Sequence, residues 1–229
     1  MTTLCIIPAR GGSKSVPKKN LVTVAGKPLI AWTIEQALGS GALDRVIVST
    51  DSEEIAEVAR AFGAEVPFLR PAELAIDTAP TEPTLIHAVD YLARTQGYQP
   101  AAVMLLQPTC PVRKPHSVAG ALACLAAHGG DSLVSVREIH PFLWQNPAAP
   151  RAMYDFLNRP RRQDVAEDAR LYEETGSIYV TKTDLLLKTG NRLGGRVALY
   201  VMDAEESCDI DSAADVAVAD ALLTRMMAR

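Results

Sequence analysis

Short apolar runs that end at turn residues alternate along this chain with segments of helical period, and few folds satisfy such an alternation. "TLCIIP", "DRVIVST", the short "AEVPFL", "AAVMLLQP", "SLVSVRE", "GSIYVTK" and "GRVALYVM" read as strands. Between them, "PLIAWTIEQAL" sets Ile30, Ile34, Ala37 and Leu38 on one helical face. "DSEEIAEVARAFG" offers Asp51 as N-cap, Glu54 three residues on, and Gly63 as the stop. Further stripes run through Leu85, Val89 and Leu92, through Val118, Ala121, Leu122 and Leu125, and through Val216, Ala219, Leu223 and Met226. The continuous apolar character of "AAVMLL" marks a strand covered on both faces. The expectation is an α/β fold with helices packed around a mostly parallel sheet.

The 229 residues suffice for one large α/β domain. A formal net charge of −4 argues against wholesale electrostatic binding to nucleic acid, so any anion site is local. Cys5, Cys110, Cys124 and Cys208 lack C-x-x-C spacing, which points away from a zinc site or disulfide framework. No leader pattern or membrane-length apolar run is visible, and the expectation is a cytoplasmic protein with no membrane partner.

The first strand ends in "ARGGSKSVPKKN". Gly11 and Gly12 permit positive φ and close approach of backbone N–H groups to an anion, and Arg10, Lys14, Lys18 and Lys19 crowd positive charge at a strand's C-terminal end. Neither G-x-x-x-x-G-K-[ST] nor G-x-G-x-x-G is present. Near the other end, "SCDIDS" points Asp209 and Asp211 the same way if extended, so two carboxylates can share a hard cation such as Mg²⁺; the competing reading has Asp211 or Ser212 cap the last helix. Basic groups for phosphate and acids for Mg²⁺ are complementary halves of a phosphoryl- or nucleotidyl-transfer site. His87, His116, His128 and His140 form no nucleophile–base spacing with a cysteine or serine.

Taken with "GKPLIAWTI", "VIVSTDSEEIAEVARAFGAEV", "PFLRPAELAIDTAPT", "LLQPTCPVR", "ETGSIYV" and "SCDIDSAADV", the first loop resembles the acylneuraminate cytidylyltransferases and their legionaminic and pseudaminic acid relatives, in collinear order over nearly the whole chain. The resemblance implies a Rossmann-like, three-layer nucleotidyltransferase fold and transfer of CMP from CTP to the anomeric hydroxyl of a nonulosonic acid, with Mg²⁺ and release of pyrophosphate. It implies that Arg10 and Lys19 hold the triphosphate, with Gly11, Gly12 and Ser13 completing the cradle, and that Asn20 meets cytosine. Arg70, Ala79 and Thr81 become the wall facing base and ribose, Gln107 and Tyr179 sugar contacts, and Asp209 and Asp211 the metal pair. The competing readings are a surface ion pair for Arg70 and a core residue for Tyr179. Alternatives are a nucleotidyltransferase for Kdo or another sugar, or a non-catalytic nucleotide-binding regulator.

The stretch from about 140 to 171 is rich in proline and arginine and lacks a clean stripe, so it reads as an active-site lid or an arm packed on another subunit. The resemblance implies an arm, a homodimer, and one domain over 1–229 with an excursion at about 138–172. Leu143 and Trp144 stand where sialic acid enzymes carry a lysine for the sugar's carboxylate, which leaves Arg161 or Arg162, as a bidentate fork, to replace it. Arg192 and Leu193 replace an aromatic pair, which keeps acceptors such as KDN or legionaminic acid in play.

Overall fold

A computed structural model describes residues 1–228. In chain order the elements are β1 (Thr3–Pro8), β2 (Thr23–Val24), β3 (Lys27–Pro28), α1 (Leu29–Gly39), β4 (Arg45–Ser49), α2 (Glu53–Ala61), α3 (Glu82–Gln96), β5 (Ala102–Leu106) and α4 (Ser117–Ala127). They continue with β6 (Ser132–Ile139), β7 (Trp144–Gln145), β8 (Arg151–Ala152), β9 (Leu171–Lys182), α5 (Thr183–Thr189), β10 (Val197–Val201) and α6 (Ala213–Met227). The central sheet has the order β10-β6-β9-β5-β1-β4, and β9 alone runs antiparallel to its neighbours.

Alternation along each strand builds two cores. Leu4 and Ile6 of β1 meet Leu85, Val89 and Leu92 of α3, while Cys5 and Ile7 pack with Ile30 and Ile34 of α1 and Ile55 of α2. Helices therefore cover both faces, the three-layer arrangement expected for a largely parallel sheet. A third cluster joins Ala219 and Leu223 of α6 to Leu29, Trp32, Val112 and Ile210. It fixes the chain around Ile210 against the start of α1.

Several boundaries differ from the sequence reading. Ser52, not Asp51, caps α2, its hydroxyl accepting from Ile55 N. "AEVPFL" forms only two isolated bridges beside β4, at Glu65 and Leu69, because Pro67 between them has no N–H to donate. Strand β9 begins five residues before the expected "GSIYVTK", and Leu38 is exposed although it was set on the apolar face of α1. Helix α5 and the β2–β3 hairpin, turned by Ala25 and Gly26 at positive φ, are additions. Residues 140–170 form a small β7–β8 hairpin followed by short 3₁₀ turns. Among the described residues no helix is long and apolar enough to cross a membrane.

Candidate active site

The C-terminal ends of β1 and β5 open onto a cavity of about 280 Å³, the side of an open α/β sheet where ligands bind. Arg10, Gly12, Ser13, Lys19, Asn20, Arg70, Ala79, Thr81 and Gln107 all line it. Residues from three separated stretches of sequence thus face one space. Gly11 does not line it, and neither Gly11 nor Gly12 takes a left-handed φ, contrary to the expectation for that turn. Gly11 is instead demanded by close approach: a Cβ there would lie 3.0 Å from the Ser52 Cβ. The left-handed residue of the loop is Lys18, φ 51°, at the start of the 3₁₀ turn Lys19–Leu21.

The loop is held from several directions. Gly11 N donates to the Asp51 carboxylate at 2.8 Å, which is why Asp51 is not the cap of α2. Asn20 donates through Nδ2 to the Arg10 carbonyl at 3.0 Å, while its buried Oδ1 has no partner. Lys19 is buried; its ammonium donates to the Ile210 carbonyl and lies 3.3 Å from Asp211. Arg10 and Lys14 both pair with Asp77, at 2.6 and 2.5 Å, whereas Lys18 pairs with Glu54 at 2.7 Å.

Arg70 is not a surface ion pair. It is buried, donating to the Ser49 carbonyl at 3.0 Å and to Thr84 Oγ1 at 3.3 Å, and its Nε has no partner. Burial lowers the pKa of its guanidinium. Asp209 and Asp211 flank Ile210, which is fully buried, and both are exposed. Ser212 caps α6 in a reciprocal capping box with Asp215, so Asp211 is left uncommitted to the helix. Among the described residues no cluster of three or more histidine, cysteine or acidic side chains is disposed to hold a metal. Neither Asp209 nor Asp211 lines the cavity, Asp211 pairing with Lys19 and Asp209 accepting from Cys110; their donor set is all oxygen, the chemistry of Mg²⁺, which commonly takes one or two carboxylates and completes its shell with water and substrate phosphate.

A second, polar cavity of about 330 Å³ lies on the far side of Gln107, lined by Arg137, Glu173, Glu174, Thr175, Gly176, Tyr179, Ser207 and Asp209. Gly176 closes the gap between the two cavities, since a Cβ there would stand 3.1 Å from Gln107 Oε1. Tyr179 is both a core residue and a cavity wall. Its hydroxyl donates to Glu174 at 2.8 Å, Arg192 stacks on its ring at 4.6 Å, and burial raises the phenol's pKa well above its usual range. Arg161 and Arg162 come to neither cavity: Arg161 pairs with Asp164 at 2.6 Å, and Arg162 lines an apolar cavity inside the 140–171 segment. Sequence reasoning missed Asp77 and Arg113, whose partners are distant in sequence or are backbone carbonyls, and Glu174, which meets Tyr179 only across the irregularity in β9. Cys110 beside Asp209 is no ready nucleophile, because burial pushes its thiol up to about 12.

Comparison with known proteins places this geometry. Residues 4–114 match the model of the family described as cytidylyltransferase. The CMP-N,N'-diacetyllegionaminic acid synthase of Legionella pneumophila is 36% identical over 97% of both chains. The chain belongs to the cytidylyltransferase family. This cytidylyltransferase is also 32% identical to a pseudaminic acid cytidylyltransferase of Campylobacter jejuni, over 97% of its own length and 96% of the relative's. An N-acylneuraminate cytidylyltransferase of Streptococcus agalactiae is 34% identical over 94% of the chain, which spans 52% of that longer relative. Its fold is similar to that of a CMP:2-keto-3-deoxy-manno-octonic acid synthetase complexed with CTP, with a TM-score of 0.72, 19% identity, and coverage of 99% and 100% of the two chains. A 4-diphosphocytidyl-2C-methyl-D-erythritol synthase from Anaerococcus prevotii shares it at a TM-score of 0.68, with 11% identity and coverage of 98% and 99%.

Proposed function

We propose that this cytidylyltransferase transfers CMP from CTP to the anomeric hydroxyl of a nonulosonic acid and releases pyrophosphate. The observation that carries the reading is the unpartnered, buried Asn20 Oδ1 in the same cavity as the charges of Arg10 and Lys19. A buried amide oxygen without a donor is costly, and the exocyclic amine of cytosine supplies the missing one. Arg10 and Lys19 neutralise the triphosphate and the charge that develops on the leaving pyrophosphate. Gly12 and Ser13 complete the cradle, with Gly11 holding its shape from behind. Arg70, Ala79 and Thr81 border base and ribose.

Asp209 and Asp211 would hold Mg²⁺, which when bound supplies electrostatic stabilisation of the reacting phosphate and acidifies the attacking hydroxyl. The chain's own part is to fix the two substrates in line: Gln107 orients the acceptor against the α-phosphorus, and the polar cavity beyond it takes the sugar's remaining groups. Glu173, Glu174 and Asp209 outnumber Arg137 there, so this wall favours hydroxyl and amide N–H donors and disfavours the acceptor's carboxylate. The carboxylate is then met by Arg161 or Arg162 of a second copy, within a homodimer built through the 138–172 excursion of a single nucleotidyltransferase domain. Exposed Phe142, Leu143, Trp144, Met153 and Phe156 on that segment support a protein contact.

Equilibrium binding of CTP and UTP tests the base contact. The wild-type protein is expected to prefer CTP by about tenfold or more, and Asn20→Leu to lose most of that preference while still folding. A preference that survives Asn20→Leu contradicts the assignment.

A further inference from the structure

Strand β9 does not pair evenly with β6. Val134 stands opposite Tyr179 and Val136 opposite Glu174, so β9 takes five residues where β6 takes two. Thr175–Ile178 stand opposite Ser135 alone and bulge from the β6 edge with Gly176 at φ +71°, where Gly176 lines the second cavity against Gln107 of the first. A bulge removes backbone groups from the ladder, and each must find another partner. Here side chains supply them. Ser135 Oγ accepts from Ile178 N at 2.8 Å, and Cys110 Sγ donates to the Thr175 carbonyl at 3.3 Å.

The Ser177 carbonyl accepts from Arg113 at 3.0 Å, and the same Arg113 Nη2 donates to the Gln107 carbonyl at 2.7 Å. Through Nη1 the guanidinium is anchored on α1, to Thr33 Oγ1 at 3.0 Å and Gln36 Oε1 at 3.1 Å. Arg113 is buried to 1% exposure, lines neither cavity, and sends all four bonds to uncharged acceptors. A charge buried without a hydrogen-bonded carboxylate is an expensive way to fill a core, and an apolar residue would pack there at less cost. What the guanidinium provides, and a hydrocarbon cannot, is a rigid plane whose Nη2 end meets the carbonyls of Gln107, just past β5, and Ser177 of β9 while its Nη1 end is anchored on α1.

We propose that Arg113 is a positioning residue: it clamps the end of β5 to the β9 bulge and so fixes Gln107 between nucleotide and acceptor. The inference rests on the proposed function, because it takes the two cavities as the sites of the two substrates. Loosening the clamp displaces the acceptor relative to the α-phosphorus and leaves Arg10, Lys19 and Asn20 where they are. An ångström of misplacement at a reacting pair is worth up to about a hundredfold in rate.

The test is steady-state kinetics of Arg113→Lys, which keeps the charge and loses the two-ended plane, alongside Thr33→Val, which removes one anchor and leaves the arginine. Both are compared with wild-type protein, using CTP and the acceptor found active. For Arg113→Lys the acceptor's kcat/KM is expected to fall about tenfold or more while the KM for CTP stays within about twofold, with a smaller shift of the same kind for Thr33→Val. Should Arg113→Lys fail to fold, Thr33→Val decides. A rise in the KM for CTP that matches the loss toward the acceptor, or losses that merely follow the folded fraction, assign Arg113 a structural role and overturn the proposal. An inactive wild-type protein overturns the proposed function and this inference with it, whereas an active wild type with unchanged variants overturns this inference alone.

Discussion

At the scale of single residues, the site is set by where each charge finds its partner. Arg10 and Lys19 were legible as charge in the loop after one strand end, and Asn20 through the resemblance. Asp77 was not, since only the fold brings it across the cavity mouth to Arg10 and Lys14. Its carboxylate sits on the cation that the triphosphate is proposed to use. Asp77→Asn should therefore lower the KM for CTP several-fold, with the same kcat, in initial-rate measurements. The Lys14 and Arg10 contacts hold the Asp77 carboxyl below the usual carboxylate range. A lowered folded-state pKa means that these ion pairs persist above the ordinary value and are lost only as pH falls through the lowered one. No ionisation of Asp77 should appear in the CTP affinity between about pH 5 and 9, because an unperturbed carboxyl titrates below that window. The cysteines are equally silent. Burial drives the Cys5 and Cys110 thiols up to about 12, so at neutral pH both should resist iodoacetamide in the native protein, as peptide mapping by mass spectrometry will register.

At the scale of elements, what the sequence revealed were those whose own side chains define them. The β5 run Ala102–Leu106 is buried throughout, and an apolar stretch this short between turn residues reads as a strand rather than a helix. The first part of β9, "LYEE", is exposed and charged, and only its pairing with β6 and the Arg137–Glu173 bridge make it a strand. The cap of α2 was misread for a related reason. Asp51 and Ser52 both suit an N-cap, and Gly11, forty residues away, claims the aspartate. At α6 the local signal is sufficient, because Ser212 and Asp215 form a closed capping box. Ser212→Ala should cost about 1 kcal/mol in chemical denaturation. Activity should hold, since Asp209 and Asp211 are fixed mainly by the burial of Ile210 between them.

At the scale of the whole molecule, the sheet gathers the loop after β1, the 70–84 segment and the end of β5 into one nucleotide-sized opening, with α6 packing the acidic stretch beside it. That convergence could be anticipated only as a topology, from the rule that strand ends of one polarity share a face. The second cavity could not, because it depends on a bulge with no local sequence mark beyond Gly176. If the exposed aromatic cluster of residues 142–156 joins two copies as proposed, analytical ultracentrifugation at micromolar concentration is expected to give a dimer mass. The central claim is tested most directly by pyrophosphate release in the presence of Mg²⁺, with each nucleoside triphosphate in turn and a panel of nonulosonic acids. The account predicts release only when CTP and a nonulosonic acid are present together, with CMP-sugar formed in equal amount; release from CTP alone, equal use of other triphosphates, or no release with any acceptor would contradict it.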